Sequence, residues 1–183
     1  MRNSFFLLCF LSLKLYAQPY DVSHALKEPE GAFYRADTSA HVIYLNFTAH
    51  EFMEGLPYVA RVLDSMKVPG SFFLTGDFVR KEPGWVKQLY QAGHYVGPHS
   101  DKHLLYCDWT KRDSLLVGLP LIQKDLQDNM DALVRLGLPR NGIRFFMPPY
   151  EWYNRQVFDL VKSMGYVMVN FSPGTSSNAD YTT

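Results

Sequence analysis

The residues best suited to chemistry are two histidines four positions apart, His99 and His103, in the run His99-Ser100-Asp101-Lys102-His103. Neutral imidazole is a common ligand for zinc and related ions, and a helical turn or tight loop brings positions i and i+4 to one ion. The spacing alone also describes two surface histidines. What sharpens it is position: Gly97-Pro98 marks a turn at the end of a short apolar run. A second donor pair, His50-Glu51, follows another apolar run, and Glu151 follows a third through Pro148-Pro149-Tyr150. Three protein ligands with one open position describe a catalytic zinc, and a nearby carboxylate can serve as general base.

These donors must be held by strands and helices. Short apolar runs at His41 to Phe47, Gly70 to Thr75, His94 to Pro98, Ile143 to Met147 and Tyr166 to Phe171 read as strands. Between them, 3.6-residue periodicity predicts helices over Gly55 to Lys67, Pro83 to Ala92, Pro120 to Leu136 and Trp152 to Met164. Strand alternating with helix implies parallel strands, an α/β fold, and chemistry at the strands' C-terminal ends. The donors named above all follow strands directly.

The chain has 183 residues, enough for one domain. It carries 18 basic and 18 acidic residues and no basic run, so nucleic acid is not an expected partner. Residues 1–17 read as a secretion signal: Arg2, an apolar stretch from Ser4 to Leu13, and the small Ala17. That stretch is too short to span a bilayer, so no membrane span is expected once the signal is removed. Export places the chain in the periplasm, at the cell surface or outside the cell. Residues 18–40 form a polar lead-in and 41–183 the domain. Cys9 lies in the signal, which leaves Cys107 alone and excludes both an internal disulfide and a cysteine-based zinc site.

The run GHYVGPHSDKH resembles the second motif of polysaccharide deacetylases, the carbohydrate esterase group with the NodB homology domain. That motif pairs two metal-binding histidines as H-S/T-x-x-H behind a G-H-x-x-G strand. VIYLNF, an amphipathic helix and VPGSFFLTGDFV resemble the family's first strand, first helix and A-T-F-F-x-x-G strand, and FMPPYEWYN resembles the third motif. The resemblance implies a distorted (β/α) barrel, a divalent metal cofactor, Zn2+ by preference, and hydrolysis of N- or O-linked acetyl groups on a polysaccharide or oligosaccharide. The chain also lacks the family's late L-x-H segment, so the barrel is expected to be incomplete at the C-terminus.

The departures concern the chemistry. The family's first motif, T-F-D-D-G, is replaced by Asn46-Phe47-Thr48-Ala49-His50-Glu51, and the third-motif Arg by Met147. Losing the base Asp and its Arg partner together avoids an unpaired buried charge. Two readings stay open. In the first, the site is rebuilt: His99 and His103 bind the metal, Glu51 or His50 is the third ligand, and Glu151 is the base. The backbone N–H of Tyr150 then holds the oxyanion, as the matching residue does in the family. In the second, the site is dead and the domain only binds glycans. Glu51 and Glu151 also fit a simpler account, a favourable charge at a helix N-terminus worth about 0.3–1 kcal/mol. Tyr106, Trp109, Tyr150, Trp152 and Tyr153 are candidates for stacking on sugar rings, with core packing as the default for each, and Asn154 either fixes a turn or bonds substrate.

Overall fold

The computed structural model describes residues 22–39 and 41–173. The expected signal at 1–17 and residues 174–183 lie outside the described residues. Twelve regular elements are described: β1 Leu26–Lys27, β2 Phe33–Arg35, β3 Asn46–Ala49, α1 Leu56–Met66, β4 Ser71–Leu74, α2 Gly76–Lys81, α3 Pro83–Gln91, β5 Tyr95–Pro98, α4 Leu119–Arg135, β6 Phe145–Phe146, α5 Arg155–Ser163 and β7 Val167–Met168.

Residues that dislike helix interiors set the boundaries. Proline opens the first turn of α1, α3 and α4, where its missing N–H costs nothing. Thr75 caps α2 by accepting from Phe78 N at 3.2 Å, and Asn154 caps α5 by accepting from Val157 N at 3.1 Å. Gly93, Gly137 and Gly165 follow α3, α4 and α5 with positive φ.

β3, β4 and β5 form a parallel sheet in sequence order, in the register Phe47–Phe72–Val96. β6 and β7 pair in parallel as a second sheet. Between the two sheets, Met147 N donates to Pro98 O at 3.4 Å, and the Tyr95 side chain adds two further bonds. Its hydroxyl accepts from Phe145 N at 2.8 Å and donates to Phe145 O at 3.0 Å. Gly97 makes this possible, because a Cβ there would lie 2.6 Å from the Tyr95 ring. β7 in turn meets β2, where Asn170 N donates to Phe33 O at 2.8 Å. The strands thus follow one another as β3, β4, β5, β6, β7, β2, with the first five parallel, as expected of an open (β/α)-barrel segment.

Most expected elements are present with small shifts, and three differences matter. The first strand was expected over His41 to Phe47 but is Asn46–Ala49. Its ladder to β4 begins where Ser71 N meets Leu45 O, so residues 41–44 extend past the start of their neighbour. Val42, Ile43, Tyr44 and Leu45 stay exposed. Second, the short helix α2 follows β4 directly. Third, the lead-in holds the antiparallel hairpin β1–β2.

The core has two parts. One centres on Leu63, Phe72, Leu74, Phe78, Leu89 and Leu133, the other on Tyr106, Ile122, Phe146, Tyr153, Val157 and Met168. α4 supplies both. Among the described residues no helix is long and apolar enough to cross a membrane.

Candidate metal centre and its aromatic wall

The loop after β5 gathers the two histidines. His99 Nδ1 lies 2.8 Å from Met147 O, at the end of β6. A carbonyl oxygen only accepts, so Nδ1 carries the proton and Nε2 presents a lone pair. That Nε2 faces His103 Nε2 at 3.2 Å. Two ligands each about 2.0–2.1 Å from a tetrahedral ion lie roughly 3.3 Å apart, so the pair is spaced as two donors to one cation. His99 is 1% exposed. Its pKa falls from 6.5 to about 3, first because burial penalises the charged ring, then because His103 is close. The neutral imidazole is the form that binds metal.

This shift has a consequence for stability. Between pH 6.5 and about 3 the unfolded chain takes up a proton at His99 and the folded chain does not. Its contribution is therefore complete above about pH 6.5 and lost as pH falls toward 3. Thermal melts of the chelator-treated chain should decline over that window, and a His99→Asn variant should decline less steeply.

The histidine loop is built into the fold from below. His103 takes φ 53° and Ser100 φ 70°, left-handed values that few non-glycine residues adopt. Asn129 Oδ1 accepts from His99 N at 3.0 Å. Asp125 accepts from Asp101 N at 3.1 Å, Lys102 N at 2.9 Å and the Tyr106 hydroxyl at 3.1 Å. Ser100 Oγ accepts from His103 N at 2.9 Å. Asp101 is 3% exposed and receives both terminal nitrogens of Arg80, at 2.7 and 2.9 Å. A Cβ at Gly76 would overlap Asp101 Oδ1, so only glycine admits this approach to the start of α2. Lys102 Nζ lies 2.5 Å from Asp77 Oδ1 and 3.5 Å from Asp101 Oδ2.

His50 and Glu51 stand beside the pair. The His50 ring stacks on His103, with centroids 4.8 Å apart and planes 11° off parallel. His50 Nδ1 is 3.3 Å from Thr75 Oγ1, and its Nε2 is 3.6 Å from Glu51 Oε1. Glu51 is largely exposed. Among the described residues no group of three or more His, Cys, Asp or Glu is arranged to hold a metal. The donor set therefore fits a divalent cation at two positions, with neither His50 nor Glu51 in place as a third. A depression of about 450 Å³ opens beside His50, lined also by Glu51, Asp77 and Lys81.

Glu151 and Tyr150 occupy the turn after β6 with φ 52° and 59°. Two consecutive left-handed residues cost about 1–2 kcal/mol each, and such strain persists where surrounding contacts enforce it. The Tyr150 ring sits 4.4 Å from the His103 ring, and Trp109 and Trp152 continue the row at 5.9 and 5.3 Å. Trp109 and Tyr150 are about half exposed, at 53% and 44%. This is an aromatic wall running outward from the histidines. Arg112 lies 4.1 Å over the Trp152 ring.

Asn154 is 1% exposed, with Oδ1 committed to Val157 N and Nδ2 to Arg112 O. Of its two expected roles, the structure gives it the turn, not the substrate. Tyr106 and Tyr153 are fully buried core residues. Sequence reasoning missed Asp125 and Asn129. The available signal was two polar residues four apart on the apolar stripe of α4, where an unpaired polar group is costly.

Residues 35–169 match the polysaccharide deacetylase family. Over 158 residues the chain is 29% identical to the peptidoglycan-N-acetylmuramic acid deacetylase PdaA of Bacillus subtilis, covering 85% of this chain and 57% of the relative. The solved PdaA structure superposes with a TM-score of 0.65 over 76% of this chain and 56% of that one, at 28% identity. A family 4 carbohydrate esterase from Bacillus anthracis gives a TM-score of 0.69 at 26% identity, covering 78% of this chain and 65% of that one. A family 4 pseudoenzyme from the same organism shares the fold, with a TM-score of 0.67 at 20% identity, covering 77% and 47%. The chain spans between 48% and 60% of the length of the curated relatives it matches. With this match and the parallel strands described above, the chain belongs to the polysaccharide deacetylase family, as a divergent member whose first and third motifs are altered.

Proposed function

We propose that this chain is a metal-dependent hydrolase that removes acetyl groups from an exported or cell-envelope polysaccharide. The observation that carries this reading is the pair of Nε2 atoms 3.2 Å apart, one with its tautomer set by Met147 O. His99 and His103 would hold a divalent cation, Zn2+ by preference. Such an ion polarises an acyl carbonyl and lowers the pKa of water toward 7. Either Glu51 or His50 would supply the third ligand by a change of rotamer, since His50 stacks on His103 and Glu51 lies 3.6 Å from His50, though neither is in place as a third.

The remaining steps belong to the chain's own residues. Tyr150, Trp109 and Trp152 stack on the sugar rings and hold the acetylated residue against the histidines. The Glu151 carboxylate accepts the proton of the attacking water and returns it to the sugar nitrogen or oxygen as the bond from the acetyl carbon to that atom breaks, releasing acetate. The Tyr150 N–H, carried on the strained turn, donates to the oxyanion as it forms. Residues 1–17 direct export.

The test is acetate release from N-acetylated chitooligosaccharides, peptidoglycan and acetylated xylan with added Zn2+. Wild type should release acetate, and Glu151→Ala and Glu51→Ala should each lose most of it. Unchanged release after both substitutions would remove these carboxylates from the mechanism. A second reading, glycan binding without turnover, rests on Thr48 and Ala49 standing where the family's two aspartates are expected. It predicts retention of the chain on an insoluble glycan, lost on Trp109→Ala, with no acetate released.

A further inference from the structure

We propose that the N-terminal hairpin β1–β2 positions the Tyr150–Glu151 turn, and that Glu28 is the positioning residue through which it acts. This rests on the deacetylase reading for its functional consequence but not for its structural one. The family match begins at residue 35, so Leu26 to Tyr34 lie before it.

Glu28 is tied to two buried side chains. Its Oε2 accepts from the Tyr153 hydroxyl at 2.6 Å, and its Oε1 accepts from Asn170 Nδ2 at 3.1 Å. The same Asn170 amide donates to Glu151 O at 2.9 Å. One carboxylate thus fixes the group that holds the main chain of the strained turn. Tyr153 and Asn170 are 0% and 4% exposed, so water does not readily replace these bonds. Burial, with Glu28 beside it, pushes the Tyr153 phenol well above its usual pKa and keeps it a donor.

The hairpin is itself anchored. Ala32 N donates to the Tyr153 hydroxyl at 2.9 Å, so that oxygen is bonded from both hairpin strands' ends. Gly31 turns at φ 122°, and the Phe158 ring fills the space where a Cβ would sit. A second hairpin carboxylate, Glu30, pairs with Arg112 at 2.9 Å. Arg112 Nε donates to Tyr153 O at 2.7 Å, and its guanidinium covers Trp152. The two glutamates therefore reach both the turn and the aromatic wall. Positioning of this kind sets rate more than metal binding, since displacing a reacting group by about 1 Å can cost a hundredfold.

The experiment uses the whole chain with Glu28→Ala, Glu28→Gln and Tyr153→Phe. Tyr153→Phe keeps the ring in the core and removes only the bridging hydroxyl, so it guards against a Glu28 variant that fails to fold. Amide hydrogen exchange is followed over residues 148–154, where Glu151 N and Trp152 N bond to Pro148 O and Pro149 O. In Glu28→Ala and Tyr153→Phe, exchange there should rise about tenfold or more, with α1 and α3 still protected. The kcat for acetate release should fall about tenfold or more, while KM and Zn2+ affinity stay within about threefold. Glu28→Gln keeps an acceptor for Asn170 and should recover part of both losses. Unchanged exchange over 148–154 in both Glu28→Ala and Tyr153→Phe overturns the proposal. So does a rise spread equally over the whole chain, which marks a general stability role. If wild type releases no acetate, the deacetylase reading fails and the exchange result still decides the hairpin's part.

Discussion

Replacing His99 by alanine should abolish both tight Zn2+ binding and acetate release. His99 is the buried member of the pair, and its Nε2 faces the other imidazole because Met147 O holds Nδ1. A cation held by one imidazole alone loses half of the side-chain donors that the described residues bring together. Metal-assisted polarisation is worth several kcal/mol of barrier, so the rate should drop by at least about 10³. His103→Ala should be nearly as severe, and the double variant little worse than either single one, because the two act as a unit. Isothermal titration with Zn2+ and acetate assays on the three variants check this. Thermal melts in chelator should show each variant still folded. Independent, multiplying losses in the double variant would mean that the two rings serve different ions or different steps.

Replacing Arg80 by methionine should give the largest loss of stability among single changes near the site. Asp101 is almost fully buried, and both its oxygens face the Arg80 guanidinium. Asp101 also lowers Arg80's tendency to lose its proton, the main cause of a pKa raised beyond its already high value. Removing Arg80 leaves a buried carboxylate whose remaining cationic neighbour among the described residues is Lys102, at 3.5 Å. Breaking a buried pair from one side costs about 3–5 kcal/mol, and because the Arg80 side chain is 41% exposed the lower end is expected. Asp101→Asn, which removes the charge and keeps the shape, should cost less. Denaturant melts of the two variants compare the costs directly. The loop that carries His99 and His103 depends on the same contacts, so Arg80→Met should also weaken Zn2+ binding. An Arg80→Met chain as stable as wild type would show that water reaches Asp101 and that the network does not hold the loop.

The fold was largely legible because its signals are local. Helical periodicity and flanking proline and glycine placed α1, α3, α4 and α5 to within a few residues. The first strand is expected too early because the apolar run Val42-Ile43-Tyr44-Leu45 looks like strand interior, whereas pairing depends on where β4 begins. The histidine pair was legible from its spacing and its place after a strand. Its supports were not. Asp125 and Asn129 lie within an apolar helical stripe, and only the loop above them explains why they are polar. Glu28 meets Asn170 across 142 residues of sequence, a contact that no local pattern encodes. Asn154 was ambiguous because capping and substrate binding use the same side chain, and its burial separates the two. Order along the chain leaves Glu51 and His50 as alternatives for the third ligand, and the stacking of the His50 ring on His103 is a packing choice that spacing does not reveal.

Everything proposed about activity depends on His99 and His103 meeting at one cation. The direct measurement is a crystal structure of the Zn2+-loaded chain with anomalous scattering recorded at the zinc edge. One strong peak is expected about 2.0–2.1 Å from both Nε2 atoms, with Met147 O still bonded to His99 Nδ1. An anomalous map with no peak between the two rings, or with the rings turned away from each other, would contradict it.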